Sequence, residues 1–171
     1  MRKDRQGIII SKSQVADGIF EMEIAFKDFE NLIGGQFVHI QLPSEQFTLR
    51  RPFCICDFDN NKKTILICFA VVGKGTEYLA SLAVGQAVMA MFPLGNGFVP
   101  TENMKKIVLV GGGMGSAVLP AVARENANVE FFTFLGFGNK NKVVLEERLN
   151  SLCKQVVVAT DDGSCGEKGF V

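Results

Sequence analysis

The apolar pattern of this chain changes its period once, near residue 101, and that change limits the fold more than any other feature. Before it, apolar residues alternate in short runs broken by turn residues. GIIISKSQVADGIFEMEIAF predicts strands over about 7–14 and 19–26, joined at Asp17-Gly18. QFVHIQLP (36–43), PFCICDFD (52–59), KTILICFAVV (63–72) and QAVMAMFP (86–93) continue the series, with TEYLASLA (76–83) as the one helix candidate. Short strands at this spacing predict a small antiparallel barrel or sandwich. After residue 101, KKIVLVGG (105–112), SAVLPAVAREN (116–126), VEFFTFLG (129–136), KVVLEERLNSLC (142–153) and QVVVAT (155–160) read β-α-β-α-β. Short strand–helix connections predict a parallel sheet with right-handed crossovers. The expected class is therefore α+β with two domains, 1–101 and 102–171. Three parallel strands are few for a nucleotide-binding domain. Gly166–Val171 reads as the start of a further element, so the sequence reads as C-terminally truncated.

Composition narrows the function classes. Apolar residues make up 47% and charged residues 21%, which excludes a disordered chain. Eighteen basic residues balance eighteen acidic ones, evenly along the sequence, which argues against nucleic acid or an anionic membrane as the main partner. Two stretches lack charge, Tyr78–Thr101 and Ile107–Ala123, but Gly85, Pro93, Gly95, Gly97 and Pro100 interrupt the first and Pro120 the second. Neither suits a membrane-spanning helix. The charged N-terminus shows no cleavage-like site, so a cytoplasmic location is expected. Five cysteines with no C-x-x-C pair read as reduced thiols, and the single His39 reads as a strand residue rather than a metal ligand. Fifteen Phe against one Tyr and no Trp predict a Phe-rich core.

Three motifs carry chemistry. IVLVGGGMGSAVLPAVA runs a buried strand into Gly111-Gly112-Gly113-Met114-Gly115 and then a helix. Glycines let the backbone approach a phosphate, and a helix N-terminus offers it free N–H groups. The G-x-G-x-x-G fingerprint is half met, since Ser116 stands at the third position, and a plain strand–helix turn is the other reading. In Arg50-Arg51-Pro52-Phe53-Cys54, an arginine heads a strand; it suits a phosphate fork, or simply strand structure. Gly73-Lys74-Gly75-Thr76 opens the helix at 76–83; it suits an anion, or a turn with an N-cap. Pro93-Leu94-Gly95-Asn96-Gly97-Phe98 by itself says only turn.

In combination these motifs resemble the ferredoxin–NADP reductase superfamily. Within it, the runs LRRPFCI, GKGTEYL, PLGNGF and TDDGSCGEKGFV are similar to those of the electron-transfer subunits of class 1B dihydroorotate dehydrogenases, over nearly the whole chain. The resemblance implies an FAD-binding antiparallel barrel followed by a partial Rossmann-like, NAD-binding domain. It implies an FAD-dependent NAD(P)H oxidoreductase subunit that passes electrons between NAD(H) and an FMN-containing dihydroorotate dehydrogenase catalytic subunit, in pyrimidine biosynthesis. Arg51 would pair with the FAD pyrophosphate, with Pro52 and Phe53 beside the isoalloxazine and Cys54 facing its N5 edge. Cys68, Phe69 and Ala70 would follow the ribityl and phosphate portion. Gly75 and Thr76 would donate backbone N–H groups to the pyrophosphate. Gly111, Gly112, Gly113 and Gly115 would contact the NAD phosphates, and Asp161 would lie near the nicotinamide side. No residue is expected to be catalytic in its own right. The sequence departs from the family in having Cys54 where Ser or Thr is common, and Ala70 where a basic residue is frequent. The family's [2Fe–2S] cluster finds no ligand set here, because the five cysteines do not match C-x₄-C-x₂-C…C. Two other roles stay open: a related ferredoxin, hydrogenase or sulfite reductase subunit, and a non-catalytic flavin- or nucleotide-binding remnant.

Overall fold

Alternating strands leave an unpaired edge unless the sheet closes, and here it closes. The structure is a computed structural model that describes residues 3–43 and 47–171. Strands β1 (Asp4–Ala16), β2 (Ile19–Phe26), β3 (Phe37–Gln41), β4 (Arg51–Asp59), β5 (Thr64–Ala70) and β6 (Ala87–Leu94) form a closed antiparallel barrel in the order β1-β2-β5-β4-β3-β6. The inward residues fill it: Ile9, Met22, Ile24, Ile40, Ile65 and Ile67 are fully buried, and Phe92 packs edge-on against Phe26. Helix α1 (Lys74–Ser81) lies between β5 and β6 in sequence and buries Leu79 in the same core.

The second half carries β7 (Lys106–Gly112), a 3₁₀ turn over Gly113–Val118, α2 (Leu119–Glu125), β8 (Glu130–Phe137), a second 3₁₀ turn over Lys140–Lys142, α3 (Glu146–Asn150), β9 (Gln155–Thr160) and β10 (Glu167–Lys168). Its strands are parallel, in the order β10-β9-β8-β7. Leu109, Phe131, Leu135 and Val158 point to one face and share a core with α2, α3 and the barrel residues Ile19, Cys56 and Cys68. The other face carries the rows Val108–Phe132–Gln155 and Val110–Phe134–Val157, with Val108 61% and Val110 59% exposed.

Three expectations need correction. The helix predicted at 116–126 opens as a 3₁₀ turn and becomes α-helical only at Leu119, which puts Pro120 in its first turn, where a missing N–H costs nothing. The helix predicted over 142–153 shrinks to Glu146–Asn150. Leu145 adopts a left-handed φ of 69°, so Val144 and Leu145 reach the core from a non-helical segment. The sheet has four strands rather than three, since β10 pairs with β9.

The halves meet closely. A Cβ on Gly34 would stand 2.6 Å from the Ala121 carbonyl oxygen, so only glycine lets that barrel loop touch α2. At the β1–β2 turn, Asp17 N–H donates to the Asn141 carbonyl (3.1 Å) and Lys142 Nζ donates to the Asp17 carbonyl (2.6 Å). Among the described residues no helix is long and apolar enough to cross a membrane.

Candidate functional site

β4 and β5 bring most of the sequence-predicted residues to one place. A cleft of about 360 Å³ is lined by Arg51, Pro52, Phe53 and Cys54 from β4, and by Cys68, Phe69 and Ala70 from β5. Val72, Thr76, Met114 and Ala117 complete it. Its long walls are apolar and aromatic: Phe69 is buried, and its ring centroid lies 5.6 Å from that of Phe53. The polar end is the start of α1. There the Thr76 hydroxyl accepts from the N–H groups of Val72 (2.8 Å) and Gly73 (3.2 Å) and donates to the Gly73 carbonyl (2.9 Å). The first N–H groups of a helix have no partner inside it, so those of buried Gly75 and cleft-lining Thr76 lie at the positive end of the helix dipole.

Arg51 is built into that end. A Cβ on Gly75 would lie 2.9 Å from Arg51 Nε and 3.1 Å from Leu42 Cδ1, so the guanidinium packs directly on the first turn of α1. Arg51 Nη1 donates to the Leu49 carbonyl (2.6 Å), and its guanidinium carbon stands 5.7 Å from the Phe47 ring centroid. At the other end of α1, Lys12 Nζ donates to the Ala80 carbonyl (2.6 Å), placing a cation at the negative end of the dipole. An apolar slot that ends in a guanidinium and free helical N–H groups suits a flat aromatic ring joined to a phosphate. Burial pushes the Cys54 thiol above its ordinary range and the Cys68 thiol up to about 12, with the Glu21 charge adding to the latter. Both are thiols, not nucleophilic thiolates, at neutral pH.

A second cleft, of about 290 Å³, lies at the carboxyl ends of β7, β8 and β9, where open α/β sheets bind ligands. Gly112, Gly113, Gly136, Gly138 and Asp161 line it. Asp161 N–H donates to the Phe137 carbonyl (3.0 Å). The glycines of the turn differ in what they do. A Cβ on Gly111 would come within 2.8 Å of Ser116 Cα, so this glycine serves strand–turn packing. Gly112, Gly113 and Gly115 have nothing within 4 Å of where a Cβ would stand, and Gly113 has φ +51°, so their backbone is open to a ligand. One turn serves both clefts: Gly113 lines the second and the next residue, Met114, lines the first.

Sequence reasoning missed Val72, Met114 and Ala117. Met114 was hidden inside the turn read as a phosphate loop and Ala117 inside the helix predicted at 116–126, and only the packing of the 3₁₀ turn on β4 and β5 turns them toward the barrel. All five cysteines are free, and among the described residues no three His, Cys, Asp or Glu side chains converge on a metal position.

A Streptococcus thermophilus protein named dihydroorotate dehydrogenase B (NAD(+)), electron transfer subunit, is 40% identical over 167 residues, covering 95% of this chain and 65% of that protein. One of the same name from Caldanaerobacter subterraneus is 35% identical over 171 residues, covering 100% of this chain and 66% of the relative. The chain thus spans just under two thirds of the length of these curated relatives. Among solved structures, an NADH-dependent reduced ferredoxin–NADP oxidoreductase studied for flavin-based electron bifurcation superimposes with a TM-score of 0.83. It is 28% identical, over 95% of this chain and 59% of that one. The FAD/NAD-binding domain of a Vibrio cholerae nitric oxide dioxygenase has a TM-score of 0.83 at 15% identity, over 98% and 79% of the two chains, which shows the shared fold alone. No family model matches the chain.

Proposed function

We propose that this chain, which belongs to the ferredoxin–NADP reductase superfamily, holds FAD in its barrel cleft and meets NAD(H) at the glycine turn of its parallel sheet. It would act as the flavin- and nucleotide-binding part of an electron-transfer subunit of the dihydroorotate dehydrogenase B type. The observation that carries this reading is the convergence of Arg51, the α1 N-terminus and the Phe53–Phe69 wall on one slot, with Met114 from the glycine turn among its lining residues.

FAD, when bound, supplies the chemistry: it exchanges hydride with a nicotinamide and electrons with a partner centre. The residues do the rest. Arg51 and the N–H groups of Gly75 and Thr76 would neutralise the pyrophosphate. Pro52, Phe53 and Cys54 would border the ring system, and Cys68, Phe69 and Ala70 the chain that joins it to the phosphates. Met114 and Ala117 would exclude water from above. Gly112, Gly113 and Gly115 would offer backbone to the NAD phosphates, Gly111 supporting that turn by packing, and Asp161 would lie at the nicotinamide side. The division into domains at 1–101 and 102–171 is part of the same reading. The residues described do not fit a [2Fe–2S] cluster, so no step is assigned to one. The partner would be an FMN-containing dihydroorotate dehydrogenase catalytic subunit in a hetero-oligomer. A reductase subunit serving another iron–sulfur or ferredoxin partner is the alternative, favoured by the likeness to the ferredoxin–NADP oxidoreductase.

The test is to load the chain with FAD, mix it anaerobically with NADH and follow flavin absorbance near about 450 nm. Bleaching by NADH supports the reading. FAD that binds but stays oxidised with NADH in excess overturns the reductase role. Adding the FMN-containing subunit or an oxidised ferredoxin then separates the two partners by which is reduced.

A further inference from the structure

The two halves are also joined by a network of ion pairs. β4 carries the cleft residues Arg51–Cys54 at its start and Asp57 near its end. The segment that roofs the cleft with Met114 and Ala117 runs on into α2, where Arg124 sits in the last turn. Arg124 pairs with Asp57 Oδ1, donates to the Phe58 carbonyl, and places its guanidinium carbon 4.8 Å from the Phe58 ring centroid. Arg148, on α3, takes the other oxygen: Nη1 lies 3.3 Å from Asp57 Oδ2 and Nη2 lies 3.2 Å from Glu21 Oε2 on β2. One carboxylate of the barrel thus holds an arginine on each oxygen, from two different helices of the other half. These side chains are only 19–35% exposed.

The roof itself has little polar anchorage. It meets β4 and β5. Its one side-chain hydrogen bond among the described residues is internal, from Ser116 Oγ to the Gly113 carbonyl (2.6 Å). The first polar cross-link from this segment to β4 is Arg124 on Asp57. We propose that Asp57, acting through Arg124 and Arg148, is a positioning residue that holds the Met114–Ala117 roof against β4. It thereby governs access to Cys54 and the spacing of the two clefts. The consequence for electron transfer rests on the function proposed above; the mechanical claim does not.

The test uses the FAD-free 171-residue chain. Cys54 is alkylated with iodoacetamide, an uncharged reagent, and its rate is read by tandem mass spectrometry against Cys165 as internal reference. Asp57→Asn is expected to raise the Cys54 rate about three- to tenfold, the scale of a lost partly buried ion pair, with Cys165 unchanged. Asp57→Glu restores most of the protection. For the natural chain, raising salt from about 0.1 M to about 1 M shortens the Debye length from about 10 to about 3 Å and moves the Cys54 rate in the same direction. Equal Cys54 rates in Asp57→Asn and the natural chain overturn the proposal. If Asp57→Asn does not fold, the salt titration decides, and a flat Cys54 rate overturns it. A Cys54 response in a chain that fails to bind FAD leaves the positioning role standing and removes the flavin reading.

Discussion

Two glycine-bearing turns lead into helical segments beside the two clefts, and they are built differently. The turn at Gly73–Thr76 is furnished with side chains: Arg51 against Gly75, the Phe47 ring near its guanidinium, and the Thr76 hydroxyl tying three backbone groups together. The turn at Gly111–Gly115 is bare. Gly112, Gly113 and Gly115 open onto space, and the one charged side chain lining that cleft is the acid Asp161. A cation fixed beside helical N–H groups can hold a doubly charged pyrophosphate; backbone alone holds it less firmly. On the function proposed, the difference separates a resident cofactor from a substrate that must leave.

The largest expected effect tests the furnished turn. Arg51→Ala removes a charge-assisted contact worth about 1.5–3 kcal/mol, so FAD affinity should fall about ten- to a hundredfold in a titration. NADH affinity at the other cleft should not follow. If both fall together, the two turns do not serve separate ligands.

The next tests the division of labour within the bare turn. Gly111→Ala forces a Cβ into Ser116 and should cost about 1–3 kcal/mol of stability in denaturant unfolding. Gly112 has φ −105° and ψ 130°, which any residue adopts, and open space around it. Gly112→Ala should therefore change stability by no more than about 0.5 kcal/mol while weakening NADH binding. Equal destabilisation by both would erase the distinction between a packing glycine and a ligand glycine.

Much of this contrast was legible in sequence, and the rest was lost for identifiable reasons. The barrel strands were readable because their alternation is regular and Asp17-Gly18 marks the first turn. Arg51–Cys54 and Thr76 were readable as motifs and Cys68–Ala70 only through the family resemblance, and it is the pairing of β4 with β5 that makes them one slot. The helix over 142–153 was overread because Leu145, Leu149 and Leu152 fall at helical spacing; the left-handed Leu145 reaches the same core without a helix. The roof residues and the Asp57 ion network carry no local signal. Glu21, Asp57, Arg124 and Arg148 are far apart in sequence and ordinary in type, and only the docking of the two halves brings them together.

A smaller effect probes how apolar the wall of the furnished cleft is. Burial pushes the Cys68 thiol up to about 12, whereas in the unfolded chain it titrates near 9.0. The protonated form is thus favoured by folding. This contribution to stability is fully present below pH 9 and is lost progressively as pH rises from there toward 12. Cys68→Ala should flatten that part of the alkaline stability profile; an unchanged slope would mean the thiol is not desolvated in the fold.

The smallest effect expected is that of Cys54→Ser. With no base beside it and a thiol kept protonated by burial, Cys54 acts by contact rather than as a nucleophile. The substitution should leave FAD affinity within about threefold, less than about 0.7 kcal/mol, and leave reduction by NADH in place. Loss of that reduction with FAD still bound would assign Cys54 a chemical role.

One labelling titration tests most directly whether the slot between β4, β5 and the start of α1 is a flavin site. FAD is titrated into the 171-residue chain while alkylation of Cys54 and Cys165 is followed in the same samples. The account predicts one FAD per chain and a fall in Cys54 labelling with the same midpoint as binding, Cys165 being unaffected. FAD that fails to bind, or binds while Cys54 labels at an unchanged rate, would contradict it.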